Sequence, residues 1–244
     1  MSGGLFTSAA GMLADDARVD VLANNIANVR TTGFRRDTVT FRQRLDEAGR
    51  RAIPGLVLHG SSWDREPGPA NVTGRPLDLA IRGEGFFEVR REGKTAFTRA
   101  GDFLLDGRGI LTTSDGRGEV LSSAGQPISL LGVERFEINE RGEVATPEGV
   151  LARLSVVGFD RPERLRKAGD ALFEDGGGAG RHAVSGVDIA AGALEGSGVE
   201  PVREMVAMIA AFRSYELNSQ ALRIQDEMLG RAASDVGRLP GSGA

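Results

Sequence analysis

The sequence predicts an α+β protein with one long helix at each end and a β-rich centre. Apolar residues recur at helical spacing over residues 5–29 and again after Pro201, where no glycine or proline follows until Gly230. Between these two stretches the chain changes to short apolar runs that are separated by glycine-containing turns. This second pattern is typical of antiparallel strands joined by tight connections.

The N-terminal helix is predicted from Leu5 to about Val29. Its apolar residues follow a heptad pattern. The first apolar position of each heptad is occupied by Leu5, Met12, Val19 and Ile26, and the second is apolar only late in the helix, at Leu22 and Val29. The earlier second positions, Ser8 and Asp15, are polar and suit an autonomous coiled coil poorly. Gly33 is predicted to end the helix in the left-handed conformation that glycine adopts readily.

The C-terminal helix is predicted from Pro201, which suits a first helical turn, to Val236. One apolar seam at three-four spacing contains Met205, Met208, Phe212, Tyr215, Leu222 and Leu229. A second apolar set lies off that seam and contains Val202, Val206, Ile209, Leu217, Ile224 and Met228. Two such faces require either burial inside a globule or neighbours on more than one side. Because the β centre is poor in large apolar residues, the sequence favours neighbours from other chains.

These patterns divide the chain into four segments. Residues 1–33 contain the N-terminal helix, and residues 34–74 form an extended, proline-interrupted connection. Residues 75–195 are predicted to be a β-rich domain, and residues 196–244 contain the C-terminal helix and a tail.

Turn residues place the individual strands of the β-rich domain. Gly85–Val89 and Thr95–Arg99 flank a loop that contains Gly93, which predicts a hairpin. Asn139–Glu143 has turn chemistry between two short apolar runs. Arg153–Phe159 is predicted to be one buried strand.

The composition excludes several classes of function. The net charge of −4 and the pI near 5.4 show no excess of positive charge of the kind that binds nucleic acid. The absence of cysteine excludes disulfides and thiolate chemistry, and His59 and His182 have no partner at metal-ligand spacing. We therefore predict no metal site and no cofactor.

No apolar run approaches the ~20 residues that cross a bilayer, so no membrane insertion is predicted. The first residues lack both a basic region and a continuous apolar region, and no cleaved signal peptide is predicted. Thirty-four carboxylates leave open an acid pair of the kind that hydrolyses glycosides, although most stand in turns or on solvated faces. A Ser-His-acid set also stays open, but no serine stands in a G-x-S-x-G elbow. We predict no catalytic residue and keep a secreted peptidoglycan-acting enzyme as the alternative from another class.

Five stretches, spread over nearly the whole chain, resemble the bacterial flagellar axial family, which contains the rod and hook proteins of the basal body. They are GLFTSAAGMLADDARVDVLANNIANVRTTGFRR, GRPLDLAIRGEGFFEV, FTRAGDFLLDGRGILTTSDG, SGVEPVREMVAMI and RSYELNSQALRIQDEMLG. The resemblance implies that the terminal helices pair as an α-helical coiled-coil layer, which packs between subunits around an export channel inside an outer β layer. It implies a structural subunit of the rod that transmits torque from the motor to the hook. Its implied partners are other copies of the chain, other rod and hook proteins, and the flagellar type III export apparatus, which would export it without signal cleavage.

The family motif falls on two groups of residues that we expect in the assembly interface. The first is Asn24, Asn25, Asn28, Thr31, Thr32, Gly33 and Phe34, and the second is Arg213, Tyr215, Glu216 and Asn218. The apolar residues expected beside them are Leu5, Met12, Val19, Leu22, Ile26, Met205, Met208, Ile209, Phe212, Leu222 and Leu229. Asparagine amides both donate and accept, so we expect them to bridge the backbones of adjacent subunits; facing water or the channel is the alternative for Asn24 and Asn25.

The chain departs from the family pattern at three places, one of which is a tail, GRLPGSGA, that follows the last helix where many relatives stop. Arg30 stands where the family commonly has a small polar residue. The segment from Asp46 to Gly74 lacks the longer extension typical of distal-rod members, which favours a proximal-rod position. A hook or hook–rod junction subunit is the nearer alternative.

Overall fold

The computed structural model describes residues 2–45, 52–169, 171–184 and 186–236. The chain begins with helix α1 (Ser2–Ala27) and ends with helix α2 (Pro201–Val236). Both predicted helices are confirmed. The helix α2 has the predicted bounds, whereas α1 ends two residues before the predicted Val29.

The described residues between the helices form short strands. They are β1 (Asp37–Leu45), β2 (Ala52–Trp63), β3 (Ala70–Val72), β4 (Leu79–Ile81), β5 (Phe86–Arg91), β6 (Lys94–Thr98), β7 (Leu104–Leu105), β8 (Leu111–Thr112), β9 (Gly118–Val120), β10 (Glu137–Ile138), β11 (Glu143–Thr146), β12 (Gly149–Arg153), β13 (Val156–Phe159), β14 (Leu165–Lys167), β15 (Leu172–Asp175), β16 (Arg181–Ala183), β17 (Ile189–Ala191) and β18 (Ala193–Glu195). A short 3-10 helix covers Pro162–Arg164.

The largest sheet joins nine strands within the described residues, in the order β14-β15-β6-β5-β9-β8-β7, with β13 pairing with both β5 and β16. Smaller sheets are β10-β11-β12, β17-β4 and β18-β3. The pairs in all of these sheets are antiparallel. The predicted antiparallel β-rich centre between two terminal helices is therefore confirmed.

The chain divides into two compact units, each of which we describe by itself. The helical unit takes the described residues within 1–27, 37–62 and 200–244, which are α1, β1, most of β2, and α2. The β unit takes those within 28–36 and 63–199. Strands β1 and β2 pair in a two-stranded sheet and occupy most of the segment that the sequence assigns to an extended connection.

The predicted hairpin is confirmed as β5 and β6. Arg91 pairs with Lys94 across a two-residue turn, in which Glu92 and Gly93 both have positive φ, 51° and 77°. Turns of this hand match the twist of the flanking strands and require left-handed backbone at both central residues. Glycine supplies the second of these at no steric cost.

Strand β5 separates two apolar clusters because successive side chains of a strand point to opposite faces of the sheet. Phe87 belongs to the larger cluster, whose most buried members are Leu79, Phe87, Val89, Leu111, Val120 and Val144. Phe86 belongs to the smaller, aromatic cluster. There the ring of Trp63 lies 4.9 Å from that of Phe173 and 6.2 Å from that of Phe86, measured between centroids.

The prediction of one strand over Arg153–Phe159 is wrong. Arg153 ends β12 opposite Glu143, whereas Val156 begins β13 opposite Phe87. The chain therefore leaves one sheet and enters another within three residues. The residues of this run do not reveal such a change, because the strands with which the two parts pair, β11 and β5, lie elsewhere in the chain.

Candidate assembly interface

The helices α1 and α2 pack against each other in antiparallel orientation. Asn25, near the end of α1, donates to Glu204 in the first turn of α2, with 3.0 Å between Nδ2 and Oε2. Asp15, in the middle of α1, accepts from Asn218 farther along α2, with 3.1 Å between Oδ2 and Nδ2. Both of these contacts are polar, and they fix the register of the two helices at two levels.

Helix α1 packs on α2 through the face that contains Ser8 and Asp15, the two polar positions that suit an autonomous coiled coil poorly. Its buried residues are Ser8, Asp15, Leu22 and Asn25. Gly11 lies on the same face, where a Cβ atom would stand 2.9 Å from the amide nitrogen of Asn218. Small residues there let the helices approach closely. The predicted heptad residues Met12, Val19 and Ile26 are only half-buried, and the side chain of Leu5 lies outside the described part.

The matching face of α2 is also small and polar. Glu204, Ala211, Asn218 and Gln225 follow at seven-residue intervals, and the first two are each 1% exposed. Because an α-helix turns about 100° per residue, this row defines the side of α2 that faces α1. The large apolar residues of α2 are absent from it.

Those large apolar residues lie instead on the exposed surface of α2. Val202 is 69% exposed and Leu217 is 68% exposed, and the others are Met205, Val206, Ile209, Phe212, Tyr215, Ile224 and Met228. At about 100° per residue, Val202, Val206, Ile209, Leu217 and Ile224 point away from the row that begins at Glu204. We call these five residues the outward stripe of α2.

The remaining predicted interface residues of α2 divide into two groups. Arg213 and Glu216 are exposed, whereas Met208, Asn218, Leu222 and Leu229 are half-buried. The two apolar faces that the sequence predicts on α2 therefore differ in how far the rest of the chain covers them. One lies partly under α1, and the other carries no cover within the described residues.

Asn25 connects three elements of the helical unit. Besides donating to Glu204, its Nδ2 donates to the carbonyl oxygen of Asp37 at 2.9 Å, and its Oδ1 accepts from the Asp37 backbone nitrogen at 2.8 Å. Its side chain is 1% exposed. In the single chain its amide therefore connects α1 to β1 and to α2 and does not face water, whereas a contact of Asn25 with a neighbouring subunit stays a prediction. Asn24 is exposed and donates to the Asp37 carboxylate at 2.9 Å.

Replacing Asn25 by alanine is expected to lower incorporation of the chain into basal bodies at least about tenfold. The change removes the hydrogen bonds of Asn25 to the Glu204 carboxylate and to the Asp37 backbone at the start of β1, and the loss of a buried hydrogen-bonding group costs about 1–3 kcal/mol. Incorporation is measured as the amount of chain in isolated basal bodies. Asn71→Ala, at an exposed asparagine of the β unit, is the matched control and is expected to change little. Equal results for the two variants would contradict the role of Asn25.

Gly33 is left-handed, with φ of 64°, but the prediction that it caps α1 is wrong. The helix ends at Ala27, and the Gly33 nitrogen donates to the carbonyl oxygen of Glu195 at 2.8 Å. A Cβ atom at this position would stand 2.4 Å from the backbone nitrogen of Ala100. Glycine is therefore required by close backbone approach as well as by its φ angle.

The turn between α1 and Gly33 is held by its own side chains. Thr31 donates from its backbone and from its hydroxyl to Asn28, each at 3.1 Å. Thr32 is half-buried, and Phe34 is buried with the Lys167 amine 4.0 Å from its ring centroid. Arg30 is exposed in this turn.

The β unit contains a buried ion cluster that no sequence pattern predicts. The Glu195 carboxylate lies 2.9 Å from Nη2 of Arg35 and 3.5 Å from Nε of Arg99, and all three side chains are at most 5% exposed. Burial lowers the pKa of both guanidinium groups, to about 10 for Arg99, and the Glu195 charge opposes this shift. With a pKa of about 10, Arg99 stays charged at neutral pH; Asp64 acts on Arg35, and Glu84 on Arg99, in the same direction as Glu195.

The same cluster ties two distant segments together. Gly198 donates from its nitrogen to the carbonyl oxygen of Phe34 at 2.9 Å, beside the hydrogen bond from Gly33 to Glu195. Arg35 also donates to the carbonyl oxygen of Glu66, and Arg99 to that of Gly83. The segment after α1 and the segment before α2 thus lie side by side in the β unit.

The part of the chain that the structure describes holds no group of histidine and acidic side chains placed to bind a metal ion. None of its helices is both long enough and apolar enough to span a membrane.

Three regions match known protein families. Residues 5–35 match the flagella basal body rod protein family, residues 80–146 the flagellar hook protein FlgE/F/G D1 domain, and residues 190–235 the flagellar basal body rod FlgEFG protein C-terminal family.

Similar proteins match over nearly the whole chain. The flagellar basal-body rod protein FlgG of Bacillus subtilis is 31% identical, over 92% of this chain and 96% of its own length. FlgG of Borreliella burgdorferi is 32% identical, over 93% and 96%. The flagellar basal-body rod protein FlgF of Caulobacter vibrioides is 30% identical, over 98% and 100%. The chain therefore belongs to the family of flagellar basal-body rod proteins.

Proposed function

We propose that this chain is a structural subunit of the flagellar basal-body rod and that it assembles through its helical unit. The observation that carries the proposal is the outward stripe of α2. An isolated chain exposes these large apolar side chains to water, and burying one such side chain fully contributes about 1.5–3 kcal/mol. Contiguous exposed apolar surface of this kind marks a protein–protein contact.

The inward faces of the helices support the same proposal. Within the chain, the most buried contacts between α1 and α2 involve polar or small residues such as Glu204, Asn25 and Ala211, and the large side chains of the outward stripe take no part in them. Burial of this stripe therefore needs a surface from another subunit. Assembly buries the outward stripe of each subunit, and the helices then form a coiled-coil layer.

The assembled rod would transmit torque from the motor to the hook by helical packing and would enclose the export channel. The predicted interface residues that are exposed, among them Ile209, Phe212 and Arg213, contact neighbouring subunits in this proposal. The neighbours are other copies of the chain and other rod or hook proteins. The flagellar type III export apparatus delivers the chain to the growing rod.

Deleting the gene for this chain is expected to abolish swimming and to leave basal bodies without a complete rod. The full-length chain supplied in trans restores both, and mass spectrometry detects it in isolated basal bodies. Swimming that persists after deletion, or basal bodies that lack the chain in wild-type cells, would refute the proposal.

Before assembly, the purified chain is expected to exchange the backbone amides of α1 and α2 faster than those of the β unit. The ordering entropy of the helices is offset only by contacts that a monomer does not have. Hydrogen exchange measured by mass spectrometry on a chain shown to be monomeric tests this. Slow exchange over both helices in the monomer would contradict the dependence of the helices on other subunits.

A further inference from the structure

A single cation interrupts the outward stripe of α2. Arg213 lies one helical turn after Ile209 and one turn before Leu217, and all three side chains are exposed. The described part of the chain holds no hydrogen-bond or ion-pair partner for its guanidinium group. Any partner that covers the stripe also covers Arg213.

Covering Arg213 without an anion is costly. Removing an ion from water carries a penalty of several kcal/mol unless a well-placed counter-charge and hydrogen bonds compensate it. The surface that docks on the outward stripe must therefore combine apolar contact with carboxylates at the level of Arg213. Guanidinium groups favour carboxylates there because two oxygens can accept from one planar fork.

The exposed face of α1 has this composition. Asp16 and Asp20 are exposed and one turn apart, and neither has an ion-pair partner among the described residues. Leu13, 72% exposed, precedes them by about one turn, and the small Ala23 follows them. The acidic pair thus has apolar residues on both sides, as Arg213 has on α2.

These two faces cannot meet within one chain. The side of α1 that packs on α2 is formed by Asp15, Leu22 and Asn25, and at about 100° per residue Asp16 and Asp20 point away from it. Arg213 points away from α1 by the same reasoning. An ion pair between them requires two chains.

We propose that the outward stripe of α2 docks on the exposed face of α1 of a second copy, with Arg213 between Asp16 and Asp20 of that copy. The inference rests on the proposed rod function and names the contact that the rod uses. Leu13 and Ala23 then lie beside Ile209 and Leu217. The charges set the register along the helices, which apolar packing alone would leave free to slide.

Charge reversal tests the pairing in the bacterium that encodes the chain. Arg213→Glu, or Asp16→Arg with Asp20→Arg, is expected to lower the amount of chain in isolated basal bodies at least about tenfold, because like charges placed together at an interface cost several kcal/mol. The variant with all three changes is expected to recover to within about threefold of the wild type. Arg203→Glu, which removes only an exposed pair with Glu200, is the control. Normal incorporation of Arg213→Glu, or no recovery in the triple variant, would overturn the proposal.

Cross-linking gives a second test that does not depend on reversed charges. The chain has no cysteine, so Asp16→Cys with Arg213→Cys introduces the only thiols. Oxidation of assembled basal bodies is expected to give a ladder of linked chains, which Asp16→Cys with Arg203→Cys does not give. Basal bodies that contain the chain but yield no ladder would refute the pairing while the rod function stands. Basal bodies that lack even the wild-type chain would instead refute the rod function.

Discussion

Replacing Glu195 by alanine is expected to destabilise the β unit by about 3–5 kcal/mol, because removing one partner of a buried ion pair leaves an uncompensated buried charge. Here the change removes the ion-pair partner that two buried cations, Arg35 and Arg99, share. Urea unfolding of the full chain measures the effect. Trp63 is the single tryptophan and packs against Phe173 in the β unit, so its fluorescence reports on this unit.

The matched control is Glu163→Ala. Glu163 forms an ion pair with Arg65 at 3.1 Å, and both side chains are more than half exposed. An exposed pair contributes about 0–1 kcal/mol, so this variant is expected to unfold close to the wild-type midpoint. If both variants unfolded at the same urea concentration, the cluster around Glu195 would have no special role in holding the β unit together.

Replacing Val206 and Ile209 together by aspartate is expected to abolish assembly while the β unit stays as stable as in the wild type. The two changes place carboxylates in the outward stripe, where burial of an unpaired charge costs several kcal/mol. They touch neither the row that begins at Glu204 nor the β unit. Swimming and the amount of chain in isolated basal bodies measure assembly, and Trp63 fluorescence in urea measures the β unit.

Leu131→Asp is the matched control for this prediction. Leu131 is an exposed leucine of the β unit, so the same kind of change is made away from α2. This variant is expected to assemble. Wild-type levels of the Val206 and Ile209 double variant in basal bodies would show that the outward stripe does not carry assembly.

Local sequence signals predict the helices, turns and hairpins that are stabilised by interactions between residues close together in the sequence. Pro201 and the absence of breakers up to Gly230 predict α2 with its observed bounds. The Glu92-Gly93 turn predicts the hairpin of β5 and β6, because a two-residue loop needs left-handed backbone there. Asn139 is a similar case: its side chain accepts from the nitrogens of Arg141 and Glu143 and so forms the turn between β10 and β11.

Contacts between distant residues are what these signals miss. Nothing around Gly33 indicates that its nitrogen bonds to Glu195 rather than to the end of α1. Nothing in the run from Arg153 to Phe159 shows that its halves join different sheets. Heptad spacing also misidentifies the packed face of α1, because polar residues such as Asp15 pack well when a partner such as Asn218 satisfies them.

The sequence by itself determined the two helices, the antiparallel centre and the surplus of apolar residues on α2, because periodicity and turn chemistry are properties of neighbouring residues. The tertiary structure alone decided which face of each helix the chain uses for itself. It assigned Asn25 to the interior and left Arg213, Asp16 and Asp20 outside. The reason is physical: a helix with two usable faces buries the one for which its own chain supplies the hydrogen-bond partners, and only the folded chain brings those partners together.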